Sequence, residues 1–89
     1  MLEISFDESF KRAYKKQIKG NINLEQKFES KLKLFRDNPF DVRLKTHKLS
    51  GKLKDLWSFS IEYYQRVILY FVDENKAVFI DIGTHDQVY

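Results

Sequence analysis

Hydrophobic positions recur along this chain in two different periods, and the change of period separates a helical first half from a strand-rich second half. Residues 2–6 alternate weakly between apolar and polar, which predicts a first strand. In the two segments that follow, apolar side chains recur every three or four residues opposite a polar face, which predicts two amphipathic helices. The apolar positions are Phe10, Ala13, Tyr14 and Ile18 in the first segment and Leu24, Phe28, Leu32 and Phe35 in the second.

Capping residues mark the ends of both predicted helices. Side-chain oxygens that can accept a hydrogen bond from the first N–H groups of a helix precede each apolar stripe. The candidate N-caps are Ser5 and Asp7 for the first helix and Asn23 for the second. Gly20 predicts the end of the first helix, and Asn38 the end of the second, because the residue before a proline avoids the helical region.

Later in the chain the period changes to two. Apolar and polar residues alternate over 57–62, and further β-rich runs follow at 66–72 and 76–82. Residues 73–75 read Asp-Glu-Asn and supply a turn, whereas the link at 63–65 contains no Gly, Asn or Asp. Because these links are short, we expect the strands that they join to pair in antiparallel fashion.

The predicted element order is therefore β-α-α-β-β-β, which belongs to the α+β class. We expect an N-terminal strand and a helical hairpin packed on one face of a small, twisted antiparallel sheet. The chain has 89 residues, of which 43% are hydrophobic, so it is long enough for one core and one domain spanning residues 1–89.

Composition adds an expectation about the compartment. The chain has no cysteine, which excludes disulfides and thiolate metal sites and fits a reducing cytosol. Its N-terminus lacks the basic start and apolar run of a signal peptide, and its apolar runs are too short to span a bilayer. We therefore expect a cytoplasmic protein that does not associate with membranes.

Basic residues are concentrated in one segment. The chain carries a net charge of +3, and residues 43–54 contain five Lys or Arg side chains with no acidic residue between them. Such a segment is either a solvated basic loop or a surface that binds phosphates of a polyanion. The residues concerned are Arg43, Lys45, Lys48, Lys52 and Lys54.

Four residues in the second half could carry out acid–base chemistry on RNA. His47 and His85, the only histidines, flank the predicted sheet and can exchange protons near neutral pH. With Arg66 to stabilise charge on a phosphate and the phenol of Tyr89, they suffice for RNA transesterification without a metal or another cofactor. The alternatives are ordinary surface histidines, a solvated Arg66 and a Tyr89 that covers the core. The histidines and nearby aspartates match no standard metal-ligand spacing.

These residues lie in segments that, in this order, resemble the RelE/ParE superfamily of toxins from type II toxin–antitoxin systems, most of all its YafQ-like mRNA interferases. The segments are His47-x-Leu49-x-Gly51, then 57–61, 66–70, 82–85 and the closing Tyr89. The resemblance implies a RelE-like microbial RNase fold and an endoribonuclease that cuts mRNA in the ribosomal A site. It also implies products with a cyclic phosphate and a 5′-hydroxyl, and a cognate antitoxin that binds the otherwise monomeric toxin in a hetero-oligomer.

The resemblance also implies roles for individual residues. His47 corresponds to a general base, His85 to a general acid, Arg66 to a phosphate ligand and Tyr89 to an aromatic residue that orients the base or phosphate. The five basic residues of 43–54 correspond to a surface that holds RNA phosphates. The chain departs from the family pattern at Ser60, where relatives can carry a histidine; if that histidine is the base of the family, the base here is either His47 or Glu62.

Two other functions remain open from the sequence. A ParE-like toxin that acts on DNA gyrase would share this scaffold but would need no proton-transfer pair. An RNA-binding module without catalysis would keep the basic segment, and the serine at position 60 is compatible with such a loss.

Overall fold

The computed structural model describes residues 1–51 and 55–89, and within these ranges the chain forms five strands and three α-helices. In chain order they are β1 (Glu3–Phe6), α1 (Glu8–Gln17), α2 (Ile22–Asp37), β2 (His47–Lys48), β3 (Trp57–Ser60), β4 (Gln65–Asp73), β5 (Lys76–Thr84) and α3 (His85–Val88). A short 3₁₀ helix at Val42–Leu44 lies between α2 and β2. The predicted α+β order is confirmed, and β2 and α3 are additional short elements.

The strands form one sheet in the order β1-β5-β4-β3-β2. The pairs β3–β4 and β4–β5 are antiparallel, as expected from their short links, and the additional strand β2 also pairs with β3 in antiparallel fashion. The first strand departs from the expected antiparallel sheet because β1 pairs with β5 in parallel, with Glu3 opposite Lys76. The helical hairpin separates β1 from the rest of the sheet in sequence, so no tight turn imposes an antiparallel direction on it.

The N-cap of α1 is Asp7, and the N-cap of α2 is Asn21. The carboxylate of Asp7 accepts from the backbone N–H of Ser9 at 3.3 Å, which decides between the two predicted caps of α1. The prediction of Asn23 as the cap of α2 is wrong, because Asn23 lies inside the helix. The side chain of Asn21 accepts instead from the N–H of Leu24 at 3.1 Å. An asparagine at either position satisfies the sequence pattern, and only the path of the link selects the earlier one.

Both helices of the hairpin end where the sequence indicates. Gly20 lies just after α1 with φ +94°, a left-handed conformation that favours glycine. Asn38 follows the last residue of α2 in an extended conformation, immediately before Pro39, and its N–H still bonds to the carbonyl of Leu34. No helix within the described ranges is long and apolar enough to cross a membrane.

The core lies between the helices and one face of the sheet. The ring of Phe35 in α2 is fully buried, stacks on Phe59 of β3 at 4.7 Å and meets Phe79 of β5 at 5.4 Å. The other fully or nearly fully buried core residues include Phe10, Ile18, Phe28, Leu32, Leu44, Ile61, Val67, Leu69, Ala77 and Ile82. The helical stripes and the apolar side of the alternating strands thus form this core, and the opposite face of the sheet carries no long helix.

Candidate active site

The candidate residues of β3 and β4 lie on the face of the sheet opposite to α1 and α2. Val67 belongs to the core, so its neighbour Arg66 points to the other side of β4. Arg66 is paired with Ser60 of β3 and with Gly83 of β5, so these three residues form a row across the sheet. His47 of β2 is paired with Ser58, two residues before Ser60, and cross-strand partners share a face.

Arg66 and His85 line the same cavity. It has a volume of about 320 Å³ and lies where the end of β5 meets the link between β3 and β4. Its lining residues are Tyr63, Tyr64, Arg66, Thr84, His85 and Asp86. The structure therefore brings a fixed cation and an imidazole together at one opening, although they are separated by 18 intervening residues in the chain.

Arg66 also stabilises the turn between β3 and β4, which contains no Gly, Asn or Asp. Its Nη1 donates to the carbonyl oxygen of Glu62 at 3.0 Å and to that of Tyr63 at 2.8 Å. Residues 61–64 form a series of bends, closed by a bond from the N–H of Ile61 to the carbonyl of Gln65 at 3.1 Å. The guanidinium therefore satisfies backbone carbonyls in a turn that lacks the residues usually found in turns. One terminal nitrogen is engaged in the turn, and the guanidinium has further N–H donors that a phosphate could accept.

The short helix α3 folds back over Gly83. The N–H of Thr84 donates to Oε1 of Gln87 at 2.8 Å, which closes the first turn of α3. A Cβ atom on Gly83 would lie 2.8 Å from that same oxygen and 3.4 Å from a methyl group of Val88. The absence of a side chain at this position lets α3 pack directly on the sheet and sets the position of His85, its first residue.

Tyr89 lies over the sheet and contacts both its own helix and β3. Its ring meets the ring of His85 nearly perpendicularly, with the centroids 4.4 Å apart. Its hydroxyl donates to Oγ of Ser58 at 2.6 Å, and Ser58 is fully buried. Ser58 was not predicted as a site residue, because a serine on the polar side of an alternating strand usually faces solvent. A buried serine with a phenol as its partner is visible only in three dimensions.

His47 lies apart from the other three residues. It is exposed on the edge strand β2, and strand spacings place its Cα roughly 12 Å from that of Arg66, two strands away and two residues along. Its Nδ1 is 3.0 Å from the carbonyl oxygen of Lys45. A carbonyl only accepts, so Nδ1 carries the proton in that bond and Nε2 of the neutral ring is left as a proton acceptor.

Glu62, the other candidate base, is engaged elsewhere. Its Oε2 is 2.8 Å from Nζ of Lys27 in α2, and about a quarter of its side chain is exposed. Ser60, where relatives can carry a histidine, lies opposite Arg66 in the sheet. Among the candidates in the described ranges, the free nitrogen of His47 is therefore better placed to accept a proton than the ion-paired carboxylate of Glu62.

The basic segment is only partly a free positive surface. Arg43 forms two side-chain bonds to Asp41, at 3.0 and 2.8 Å, so that its guanidinium is already engaged by a carboxylate. These bonds hold the pKa of Asp41 at about 2 and raise the pKa of Arg43. Lys45 and Lys48 are exposed on either side of His47, whereas Lys52 and Lys54 lie outside the described residues. Within the described ranges, no group of three or more His, Asp or Glu side chains is placed to hold a metal ion.

Comparison with known proteins relates this geometry to one family. The profile of the YafQ family, bacterial toxins of type II toxin–antitoxin systems, matches residues 2–89. No curated protein sequence matches the chain significantly.

Several solved structures share the fold. YafQ from Escherichia coli strain BL21(DE3) superposes with a TM-score of 0.78 at 19% identity, covering 100% of this chain and 99% of that one. The E. coli DinJ–YafQ complex gives 0.74 at 18% identity, with coverage of 100% and 99%. The YoeB–YefM complex from Staphylococcus aureus gives 0.75 at 23% identity, with coverage of 96% and 98%. Because the family profile spans almost the entire sequence, the chain belongs to the YafQ family of toxins from bacterial type II toxin–antitoxin systems.

Proposed function

We propose that this toxin is a metal-independent endoribonuclease that cleaves mRNA, and that the ribosomal A site is where it does so. The observation that carries the proposal is the shared cavity of Arg66 and His85, with the ring of Tyr89 held against His85. A fixed cation beside an imidazole suits the charge and proton transfers of phosphodiester cleavage. Family membership supports the toxin role, and the cavity supports the chemistry.

In the proposed reaction, the 2′-oxygen of a ribose attacks the adjacent phosphorus while the bond from phosphorus to the 5′-oxygen breaks. Nε2 of His47 accepts the 2′-hydroxyl proton, and His85 donates a proton to the departing 5′-oxygen. The remaining donors of Arg66 stabilise the negative charge that grows on the phosphate. The products are a 2′,3′-cyclic phosphate and a 5′-hydroxyl, and no oxidant, metal or cofactor is consumed.

The separation of His47 from the cavity is compatible with this division of roles. The Cα atoms of His47 and Arg66 lie roughly 12 Å apart on the same face, and the hydroxyl of Tyr89 bonds to Ser58, the strand partner of His47. We propose that the RNA crosses this face at Tyr89, with a phosphate at the donors of Arg66 and the attacking ribose on the side of His47. Proton-transfer contacts commonly shorten only when substrate is bound.

We also propose that an antitoxin binds and silences this chain. The DinJ–YafQ and YoeB–YefM structures are complexes of toxins that share its fold. On this proposal the toxin is monomeric alone and forms a hetero-oligomer with its antitoxin.

Exposed Lys45 and Lys48 beside His47, together with Lys52 and Lys54 from the same basic segment, would contact phosphates of mRNA or ribosomal RNA. A toxin of this kind acts in the cytoplasm, where ribosomes and mRNA are.

The test is to express the wild type under tight control beside His85→Ala and to map mRNA 5′-ends in the cells. We expect new ends bearing a 5′-hydroxyl with the wild type, and a loss of at least a hundredfold with His85→Ala, because a general acid commonly contributes about 10²–10⁴-fold. His85 is exposed, so thermal unfolding of the purified variant should match the wild type.

The outcomes separate the alternatives. Growth inhibition accompanied by DNA damage and intact mRNA would overturn the nuclease in favour of a gyrase-directed toxin. Tight RNA binding without cleavage, on free RNA and on ribosomes, would instead indicate a binding module. Cleavage that persists undiminished in His85→Ala would contradict the proposed acid.

A further inference from the structure

Two exposed tyrosines stand at one wall of the cavity and have no role in the reaction described above. Tyr63 is 78% exposed and Tyr64 is 68% exposed, and both line the cavity with Arg66 and His85. Their rings lie edge to face, with centroids 4.8 Å apart. Large aromatic side chains left in water at the rim of a cleft are typical of binding surfaces, because one part is apolar and the other is polar.

The tyrosines are presented by an ordered turn. Arg66 bonds to the carbonyls of Glu62 and Tyr63, which ties the turn to β4. Glu62 is joined to Lys27 at 2.8 Å, which ties the same turn to α2. Two separate elements thus hold the backbone that carries the rings, so a ligand that binds them meets a surface whose ordering cost is already low.

The surroundings of the pair favour one chemical class of ligand. The cavity joins aromatic rings to a guanidinium and an imidazole, and its volume of about 320 Å³ is near the lower end of small-ligand pockets, roughly 300–1,000 Å³. Flat bases of single-stranded RNA stack on exposed aromatic rings while basic side chains contact the adjoining phosphates. A nucleotide offers both groups, a flat base and a phosphate, in one unit.

We propose that Tyr63 and Tyr64 form a stacking site for a nucleobase of single-stranded RNA, next to the phosphate that Arg66 holds. The identification of RNA as the ligand rests on the proposed ribonuclease function. Stacking on a tyrosine ring tolerates any base, so the site provides affinity and places the strand rather than reading its sequence. Arg66 has two roles here: it positions the tyrosine turn with one nitrogen and has other donors available for the phosphate.

The experiment measures binding of the full-length protein to a 2′-O-methyl RNA hexamer, which cannot be cleaved because its 2′-oxygens are blocked. Affinity is compared with hexamers that lack one base at each position in turn. For the wild type we expect one position at which loss of the base weakens binding roughly tenfold. Tyr63→Leu/Tyr64→Leu should bind all hexamers equally weakly, and Tyr63→Phe/Tyr64→Phe should behave like the wild type because stacking requires the ring and not the hydroxyl.

Tyr70→Leu is the matched control. Tyr70 is a partly exposed tyrosine of β4, four residues beyond Arg66 and outside the cavity lining. It should leave the dependence on the missing base unchanged. Because Tyr63 and Tyr64 are mostly exposed, the leucine pair should unfold at nearly the wild-type temperature, which separates lost stacking from lost folding.

Wild-type binding that is indifferent to every missing base would overturn the stacking site, as would a leucine pair that keeps the wild-type dependence. Binding of hexamers by stacking does not require cleavage, so the two proposals fail separately. Base-dependent binding without any mRNA cleavage would leave the stacking site standing and remove the nuclease. Cleavage of mRNA together with base-independent binding would leave the nuclease standing and remove the stacking site.

Discussion

The hydroxyl of Ser58 determines where the side chain of Tyr89 lies. Tyr89 is 41% exposed and could turn toward solvent, yet its phenol bonds to a fully buried oxygen on β3. That bond holds the ring beside His85, so a small polar residue within the sheet positions an aromatic group at the candidate site.

The bond between Ser58 and Tyr89 should appear as a coupling in a double-mutant cycle. Ser58→Ala and Tyr89→Phe should each lower the free energy of unfolding by about 1 kcal/mol, the usual net value of such a bond. The double variant should cost little more than either single one, because both changes remove the same interaction. Urea denaturation of the four proteins measures the coupling.

Ser60→Ala is the control for that cycle. Ser60 lies on the same face of β3, two residues further along, and no bond joins it to Tyr89 in the structure. Its effect should add to that of Tyr89→Phe. Additivity in the Ser58 cycle as well would show that the bond contributes nothing to stability in solution.

Arg66 shows how one side chain can determine the form of a link between elements. The turn between β3 and β4 contains no residue typical of tight turns, and the guanidinium that closes it comes from the strand that follows. The same turn carries Tyr63 and Tyr64, so the conformation of the link and the composition of the cavity wall have a common cause.

The position of α3 depends on the absence of a side chain at Gly83. We expect Gly83→Ala to displace α3, since the added Cβ would lie 2.8 Å from Oε1 of Gln87. Overpacking of this kind costs about 1–3 kcal/mol, measured as a lower free energy of unfolding. His85 and Tyr89 would move with the helix, so cleavage of RNA should fall together with stability.

A second substitution tests this explanation. Gln87→Ala in the Gly83→Ala background removes the oxygen that makes the closest contact, while the contacts with Gln87 Cβ at 3.3 Å and Val88 at 3.4 Å remain. Because Gln87→Ala also removes the bond from the N–H of Thr84, the double variant should lose less stability than the sum of the two single variants. If Gly83→Ala is as stable and as active as the wild type, close packing of α3 does not set the site.

In the whole molecule, the helices and the sheet are joined through one aromatic cluster. Phe35 is fully buried and its ring contacts those of Phe59, Phe71 and Phe79, which lie on three different strands. The stripe on α2 therefore packs against the whole width of the central sheet, and the opposite face remains free for the candidate site.

We expect Phe35→Ala to lower the free energy of unfolding by about 3–5 kcal/mol, since it removes a fully buried ring and leaves a cavity. Phe40→Ala is the comparison, because Phe40 is 54% exposed, although its ring meets those of Trp57 at 5.5 Å and Phe71 at 5.9 Å. About 1 kcal/mol is expected there. Equal losses in urea denaturation would contradict the assignment of Phe35 to the centre of the core.

Local pattern was sufficient to predict the longer elements of this protein, though not β2 or α3. The stripe of Phe28, Leu32 and Phe35 and the alternation around Phe59 each follow from the geometry of a single helix or strand, so the helical hairpin and the three longer strands were predictable. The stop at Asn38 was predictable for the same reason, because proline acts on its immediate neighbour. The prediction of Asn23 as a cap was wrong because Gln26 follows it by three residues, which is the spacing of a capping box, whereas Asn21 is followed at that spacing by Leu24.

Local patterns along the chain therefore predicted the helical hairpin, the first strand and the three longer strands, with their order and apolar faces, and named the histidines, Arg66 and Tyr89 as candidates for chemistry. The short elements β2 and α3, the parallel pairing of β1 with β5, the cavity shared by Arg66 and His85, and the distance of roughly 12 Å between the Cα atoms of His47 and Arg66 became clear only in the folded chain. The same is true of the buried bond between Ser58 and Tyr89 and of the position of the tyrosine pair at the cavity. The physical reason is range: periodicity and capping act between residues a few positions apart, whereas strand pairing, burial of a polar group and the walls of a cavity depend on residues far apart in the chain.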